Sequence, residues 1–593
     1  MAPMIMDAHG GTQVLVCVKV VLTPEQLAER GAIEPVDLQL SLVLARLGGD
    51  HRPAVRLAVA LASAVTRNGD SCFFLSQHPE LVDANGDVIA LETPSPEDWQ
   101  DLLLSSPLVG DGAMPRPLVV SQGRVQLRRY WQYEDRLGGS MASRAHQVSD
   151  AVDLVALEEG LATLFSDPDS EQARAARAAV LQRFTVITGG PGTGKTSTVV
   201  RVLALLHELA GRGRAPYPTV TLLAPTGKAA ARLVESIRLA KGTLPCAPAV
   251  RDAIVEEAST IHRALRPIPG TLRFRHDAGH PLVTDVVLVD EASMVDLGLM
   301  TRLVDAVPSN ARLVLLGDRN QLASVEVGAV LGDIYKVNPS NCVVSLTKSH
   351  RYAPDSGIAA LARAVEAGDG TEALALLSSR RYRDIGLCPT FPAEAFRQEL
   401  VQRWGPMLEA PTLEDKLALL GSYRVLTAHR RGPDGVERLN ELAVRVLERA
   451  GLLRVVRGSP VGAPVLVTAN DYELGLFNGD IGLLVEDRGS LAAVFVGADG
   501  YLRRVAASRL PPHETVFAMT VHKSQGSEFK HVSVVLGQES SPLLTRELLY
   551  TALTRARRSL TLYGSAAALT SAVKRPVRRA SGLSDALLRH GQR

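Results

Sequence analysis

The run VITGGPGTGKTSTVV at residues 186–200 constrains this chain more than any other stretch. An apolar segment that reads as a buried strand enters a glycine-rich turn and then a helix that opens with Lys195 and Thr196. The order fits the phosphate-loop pattern G-x-x-x-x-G-K-S/T through Gly189, Gly194, Lys195 and Thr196. Glycines let such a turn aim successive backbone N–H groups at one anion, and the helix N-terminus adds partial positive charge. Gly189, Gly190, Pro191, Gly192, Thr193 and Gly194, with Ser197 in the first helical turn, are therefore expected to cradle phosphates. Lys195 is expected on the β and γ phosphates and Thr196 on Mg²⁺. The fold class that follows is α/β, and the chain is expected to bind a nucleoside triphosphate.

Downstream acids narrow the chemistry. In VVLVDEASMVD at 286–296, the apolar run Val286 to Val289 ends in Asp290 and Glu291. Two carboxylates thus sit at the C-terminal edge of a buried parallel strand, where α/β sheets bind ligands. Asp290 is expected to reach Mg²⁺ and Glu291 the attacking water, which points to a hydrolase. A third strand, in ARLVLLGDRNQLASVEVG at 311–328, ends in Gly317, Asp318 and Gln321. A glutamine there can touch both the γ-phosphate and water, and so report whether the phosphate is still attached.

These motifs, with those that follow, resemble superfamily 1 helicases. Gln172, which lies 23 residues before Lys195, resembles the adenine-reading glutamine of that superfamily. LLAPTGKAAARL at 222–233 and ASTIHRAL at 258–265 resemble the motifs lining a single-strand track, which implies DNA contacts from Thr226, Lys228, Thr260 and His262. LTKSHRY at 346–352 supplies Arg351 and LLYTALTRAR at 548–557 supplies Arg555. Both resemble arginines that reach across a cleft to the γ-phosphate, where such a finger is worth about 10³ or more in rate. FAMTVHKSQGSEF at 517–529 resembles the motif whose Thr520, His522 and Lys523 face DNA while Gln525, Gly526 and Glu528 face the nucleotide. Asn470 is a further expected strand contact. One departure stands out: many relatives have an aromatic residue before the arginine of the fourth motif, and this chain has His350.

Within that superfamily the chain resembles the RecD family, helicase subunits of the bacterial RecBCD complex (exonuclease V). The resemblance rests on GGPGTGKT, LAPTGKAAARL, STIHRAL, VDEASMVD, GDRNQLASVEVGAVLGD, NDYELGLFNGDIGLL at 470–484 and VHKSQGSEF, which span most of residues 170–560. It implies two RecA-like domains and ATP with Mg²⁺. It also implies 5′ to 3′ movement on single-stranded DNA from duplex ends, in double-strand break repair by homologous recombination. RecB-like and RecC-like partners would complete a heterotrimer, with DNA cutting left to a partner because no nuclease cluster is present. Two other readings stay open: a stand-alone RecD-like helicase, and a scaffold ATPase whose nucleotide state regulates assembly.

Composition agrees with a globular, multidomain chain. Of its 593 residues 46% are apolar, and 65 Lys plus Arg against 63 Asp plus Glu leave no basic face, so any DNA track must be a local groove. Cys17, Cys72, Cys246, Cys342 and Cys388 form no C-x-x-C pair, against a disulfide framework, zinc finger or iron–sulfur cluster. The stretch Val14 to Leu22 contains Lys19 and has no basic region before it, a poor secretion signal, so a cytoplasmic protein without membrane partners is expected.

Changes in periodicity predict a mainly helical, partner-docking region at 1–115. A linker hairpin and the first RecA-like domain are predicted at 116–340, and the second at 341–593. Short strands around a polar turn are expected near 266–285. Residues 454–515, cut by Asn-Gly and Asp-Gly turns, read as a small antiparallel barrel, SH3-like by resemblance.

Overall fold

The computed structural model describes residues 22–591 apart from 85–86, 149–151, 354, 380, 393, 472, 488, 498–499 and 538–540. Cys17 and nearly all of the 14–22 stretch lie outside the described residues, as does Tyr472 of the 470–484 motif. The chain forms two compact units. One comprises residues to Asp135 with Glu326–Gly328 and Arg579–Gly582, and the other holds the rest.

In the N-terminal unit the helices Pro24–Glu29, Pro35–Gly48, Pro53–Arg67 and Pro96–Leu104 all begin on proline, whose fixed φ and missing N–H suit the first helical turn. Val55 and Leu57 to Ala62 of the third helix are essentially inaccessible, and Trp99 packs beside it, donating its indole N–H to the Ala54 carbonyl at 3.1 Å. A four-stranded sheet runs in the order Phe73–Phe74, Arg124–Leu127, Leu118–Ser121, Val109–Gly110. Its central hairpin turns through Gln122 and Gly123, both at positive φ. The sequence predicts this hairpin after 115, as a linker to the first ATPase domain. The structure builds it into the N-terminal sheet, because Phe73 and Phe74 pair with Val125 and Arg124. Two distant segments complete the unit. Buried Glu134 accepts from the Gly582 N–H at 2.8 Å and the Ser581 hydroxyl at 3.1 Å, and Gly328 N–H donates to Gly69 O at 2.9 Å.

The larger unit holds two parallel sheets. The first has six strands in the order Val343–Leu346, Phe184–Gly189, Arg312–Gly317, Val286–Val289, Val220–Ala224, Ala258–Thr260, every pair parallel. Strands buried on both faces read as unbroken apolar runs, as Val286–Val289 and Leu313–Leu316 do. The sheet extends past the expected boundary at 340, because Val343–Leu346 pairs with the phosphate-loop strand in the register Leu346 to Gly189. The second sheet has the order Ile385–Cys388, Ala556–Tyr563, Phe529–Val535, Tyr423–Thr427, Ala518–Thr520, again all parallel.

Two spans decorate this frame. Strands Pro464–Val467, Ile481–Asp487, Ser490–Val496, Leu502–Ala506 and His513–Thr515 form a five-stranded antiparallel sheet with its own small core around Val467 and Phe495. Residues 266–285 do not form the expected pair of strands. A single bridge, Pro267 to Phe274, is recorded there among the described residues, flanked by Ile268 N–H to Arg273 O at 3.0 Å and Arg275 N–H to Arg266 O at 2.9 Å. No described helix is long and apolar enough to cross a membrane.

Candidate nucleotide cleft and strand-contact residues

The strand Phe184–Gly189 delivers the phosphate loop at the carboxyl edge of the first sheet, and Lys195–Arg212 forms the helix behind it. Gly192 and Gly194 hold positive φ of 78° and 86°. Gly194 is the helix N-cap and makes no side-chain cap, which leaves the first-turn N–H groups facing the loop's concavity. Lys195 Nζ is folded onto the loop, donating to Gly189 O at 2.5 Å and Gly190 O at 3.1 Å. Thr193 closes the turn through its hydroxyl to Gly190 O at 2.9 Å, and Gln172 donates its amide to Thr193 O at 3.0 Å.

The neighbouring strand ends bring the acids to the same edge. Asp290 follows Val289, and Glu291 has a left-handed backbone (φ 52°, ψ 39°), unusual for a non-glycine residue and typical of a constrained site. The Glu291 N–H donates to Asp290 Oδ1 at 2.9 Å. Burial, and then the Glu291 charge, push the Asp290 carboxyl above its ordinary range. Asp318 is buried, and that burial raises its carboxyl pKa as well. Its Oδ2 accepts from Gln321 Nε2 at 3.0 Å and from the Tyr550 hydroxyl at 3.3 Å.

Residues that lead into the second sheet's strands close the cleft. Buried Arg555 donates to Gln321 Oε1 at 2.6 Å and to Ser527 O at 3.1 Å. Gln525 donates to Leu322 O at 3.3 Å. Arg351 donates to Thr554 O at 3.3 Å and forms an ion pair with Glu528. The stretch before Arg351 is seated on the phosphate loop: Ser349 Oγ donates to Pro191 O at 3.1 Å and His350 N–H to Gly192 O at 2.7 Å. A cavity of about 530 Å³ results. Pro191, Gly192, Gly194, Lys195, Thr196, Ser197, Asp290, Glu291, Gln321, Arg351, Gly526, Glu528 and Arg555 line it, with His350. Gly189, Gly190 and Thr193 face a second space of about 570 Å³ behind the loop.

Sequence reasoning missed three groups here. Arg232 and Arg557 also line the cavity, and Tyr550 holds Asp318. Arg232 and Arg557 pair with Glu528 at 2.8 and 2.6 Å. Burial alone would raise Glu528, but Arg351 and Arg232 outweigh it and hold the carboxyl down to about 2. The available signal for Arg232 was its place four residues after Lys228, one helical turn along the same face. Among the lining residues five cationic side chains face three carboxylates, the complement of a magnesium-bound triphosphate.

The expected strand contacts are less concentrated. Thr226 and Thr260 follow and end adjacent parallel strands, and each caps a helix by accepting an N–H, from Ala229 and Arg263, both at 3.2 Å. Lys228 lies in the first turn of the helix that Thr226 caps. Burial, then Arg424 and Arg232, push its ammonium down to about 8, with Asp480 as the opposing charge. His262 is exposed and lies 5.9 Å from the Phe274 ring. Thr520 pairs with Thr427 at the second sheet's edge and accepts the Lys523 N–H at 3.2 Å, with His522 between them. Lys523 Nζ pairs with Glu514 at 2.5 Å, and Asn470 accepts the Asn478 N–H at 2.9 Å, closing its own loop.

Three family profiles match this chain. One, described as "RecBCD enzyme subunit RecD, N-terminal domain", covers 29–125. "AAA domain" covers 172–327 and "UvrD-like helicase C-terminal domain" covers 515–563. The RecBCD enzyme subunit RecD of Mycolicibacterium smegmatis is 41% identical over 566 residues, 94% of this chain and 97% of that protein. This chain belongs to the RecD family. The RecBCD enzyme subunit RecD of Haemophilus influenzae is 33% identical over 553 residues, 83% of this chain and 84% of that protein. The ATP-dependent RecD2 DNA helicase of Deinococcus radiodurans is 33% identical over 395 residues, 66% of this chain and 48% of its own length. A RecD-family member thus carries the cleft described above, and the likeness to Haemophilus RecD extends over most of both chains.

Proposed function

We propose that this chain is an ATP-dependent DNA helicase, moving 5′ to 3′ on single-stranded DNA as the RecD subunit of a RecBCD-type helicase–nuclease in double-strand break repair. The carrying observation is the direct bond from Arg555 to Gln321, which ties the second sheet's lobe to the first inside the cavity that also holds Lys195, Asp290, Glu291 and Arg351. Hydrolysis in such a cleft depends on closure, and closure moves two lobes past each other.

The residues divide the work. Lys195 exchanges its loop carbonyls for the β and γ phosphates, and the N–H groups of Gly192, Gly194, Lys195 and Thr196 are available to wrap them, Pro191 having none. Gln172 stands beside the loop to read adenine. The Thr196 hydroxyl and the Asp290 carboxylate offer hard oxygen ligands of the kind Mg²⁺ takes alongside phosphate oxygens. When bound, Mg²⁺ would neutralise charge on the phosphates. Glu291 orients the attacking water, while Arg351 and Arg555 meet the γ-phosphate. Gln321, already held by Arg555 and Asp318, registers its loss. Thr226, Lys228, Thr260 and His262 grip the strand from one lobe, and Asn470, Thr520, His522 and Lys523 from the other. Backbone contacts of this kind are sequence-independent and weaken with salt.

The N-terminal unit supports a subunit role. Val36, Val43 and Leu47 form one stripe on the helix Pro35–Gly48 and are exposed, Leu47 at 76%. An apolar stripe left open on a capped helix suits docking on RecC-like and RecB-like partners in a heterotrimer. The five-stranded sheet of 464–515 is read as the SH3-like element, and 341–593 as the second RecA-like domain, with Val343–Leu346 lent to the first sheet. The test is Lys195→Gln with native mass. Wild type should displace strands from a 5′ tail and not a 3′ tail, and should migrate in extract with two large partners. Lys195→Gln should abolish turnover with the fold intact. Turnover in that variant would overturn the nucleotide site, and a free, processive monomer would favour the stand-alone helicase.

A further inference from the structure

Arg232 belongs to none of the sequence motifs' expected contacts, yet it lies where the two lobes meet. It sits on the helix Gly227–Gly242, whose N-cap is Thr226 and whose first turn carries Lys228. Residues four apart on a helix share a face, about 6 Å along the axis. One turn beyond Lys228, Arg232 lines the nucleotide cavity. From there Arg232 crosses to the other lobe. Its Nη2 lies 2.8 Å from Glu528 Oε1 and its Nη1 donates to Gly526 O at 2.7 Å. The same Oε1 is the partner of Arg351. One carboxylate oxygen is thus shared by an arginine of the first lobe and by the arginine expected to meet the γ-phosphate.

Resting on the helicase reading above, we propose that Arg232 is a positioning residue that couples strand binding to hydrolysis. It fixes Glu528, and through Glu528 it sets where Arg351 stands relative to the phosphate loop. A shift of the Thr226–Lys228 turn on gripping DNA moves Arg232 with it, because both ride one helix, and Arg351 is released toward the terminal phosphate. A fork with two parallel donors suits this role, since Nη1 and Nη2 address two acceptors at once in a fixed geometry that a lysine does not offer. The coupling uses only these side chains and the helix that carries them, and Arg232 itself moves no proton.

The experiment compares Arg232→Ala, Arg232→Lys and Glu528→Gln in the full-length protein within its native assembly, with and without oligo-dT. Arg232→Ala should lower strand-stimulated kcat by about tenfold or more while KM for ATP moves less than about threefold, the pattern of an interaction used in the closed state. The ratio of stimulated to unstimulated turnover should fall toward one. Arg232→Lys should recover part of that ratio. The Ala and Gln changes should be strongly non-additive in the double variant, as expected for groups acting as one pair. Wild-type stimulation in Arg232→Ala, or full additivity with Glu528→Gln, would overturn the proposal. If Arg232→Ala fails to fold, Arg232→Lys with Glu528→Gln gives the same cycle. Lys195→Gln run in parallel separates the readings: turnover in that variant defeats the nucleotide assignment, whereas a dead Lys195→Gln beside an unaffected Arg232→Ala defeats this inference alone.

Discussion

The nucleotide cleft and the strand-contact edge are built from the same two sheets in opposite ways. In the cleft almost every charged group already has a partner: Arg555 holds Gln321, Gln321 holds Asp318, and Glu528 holds three arginines. At the strand edge the expected contacts include threonines that cap helices, a histidine on the surface, Lys523 paired with Glu514 and Lys228 near Arg424 and Arg232. The cleft's side chains hold one another in a fixed network, the kind of arrangement that electrostatic catalysis of phosphoryl transfer uses, with Lys195 still folded on its loop carbonyls. On the proposed reading the edge would serve a polymer that must slide, which calls for individual contacts that are weak and replaceable. Substitutions in the cleft should therefore act on rate by orders of magnitude, and substitutions at the edge on affinity by small factors.

The largest effect should come from Arg555→Ala, which removes the bonds to Gln321, Ser527 O and Thr551 O together. Strand-stimulated kcat should fall about 10³-fold. Arg555→Lys, which keeps charge and most volume, should lose nearly as much, because one ammonium cannot reproduce the fork. Retention of more than half the turnover in Arg555→Lys would mean that the cross-lobe bond is not part of the working cycle.

Gly192→Ala is the next sharpest test. A Cβ there would stand 2.2 Å from the Arg351 Cβ, on a backbone at φ 78° that side chains resist. The methyl must push the 349–351 segment off the loop, and misplacement of about 1 Å commonly costs about 10² in rate. Nucleotide binding, measured by equilibrium titration, should change far less than kcat. An equal loss in both would place Arg351 in ground-state binding instead.

What could be read from sequence follows the same division. Lys195, Asp290 and Gln321 were legible because each follows an apolar strand, and parallel strands carry their chemistry at one edge. Glu528 was singled out from sequence for the nucleotide side, and it does line the cavity, but its place as the hub of three arginines was not legible, since Arg232 arrives from 296 residues earlier in the chain. Nothing local in GKAAAR tells which face of its helix meets a second lobe. The N-terminal unit hides more: Glu326–Gly328 and Arg579–Gly582 join it through bonds to Gly69 and Glu134 that no periodicity announces. In the other direction, the expected strands of 266–285 reduce to one bridge, Pro267 to Phe274, and a turn that Asp277 and His280 close on each other.

At the strand edge, Lys228 gives a pH test of intermediate size. With its ammonium pushed down to about 8, it is charged at pH 7 and loses its proton as pH rises through 8, whereas an unperturbed lysine would keep it to about 10.4. Affinity for oligo-dT at fixed salt should fall about threefold or more between pH 7 and pH 9 in wild type, and stay level in Lys228→Arg, which remains charged. A slope that persists in Lys228→Arg would assign the titration to another group.

The smallest effect should belong to Thr226. Its hydroxyl accepts the Ala229 N–H at 3.2 Å, so Thr226→Ala frays the first turn of a helix that carries Lys228 and Arg232. Losing such a cap costs about 1 kcal/mol, which corresponds to roughly a fivefold increase in local opening. Global unfolding of a chain with several lobes would bury so small a change, so hydrogen exchange at Ala229 and Ala230 is the better measurement. Thr226→Ser, which keeps the hydroxyl, should restore the protection. Strand affinity then decides between the two roles open to this residue. If Thr226→Ala loses protection but binds oligo-dT as wild type does, the hydroxyl is spent on the helix and the phosphate contact belongs to its neighbours. If affinity falls further than the fraying accounts for, the same oxygen serves both, and the edge is more like the cleft than its scattered geometry suggests.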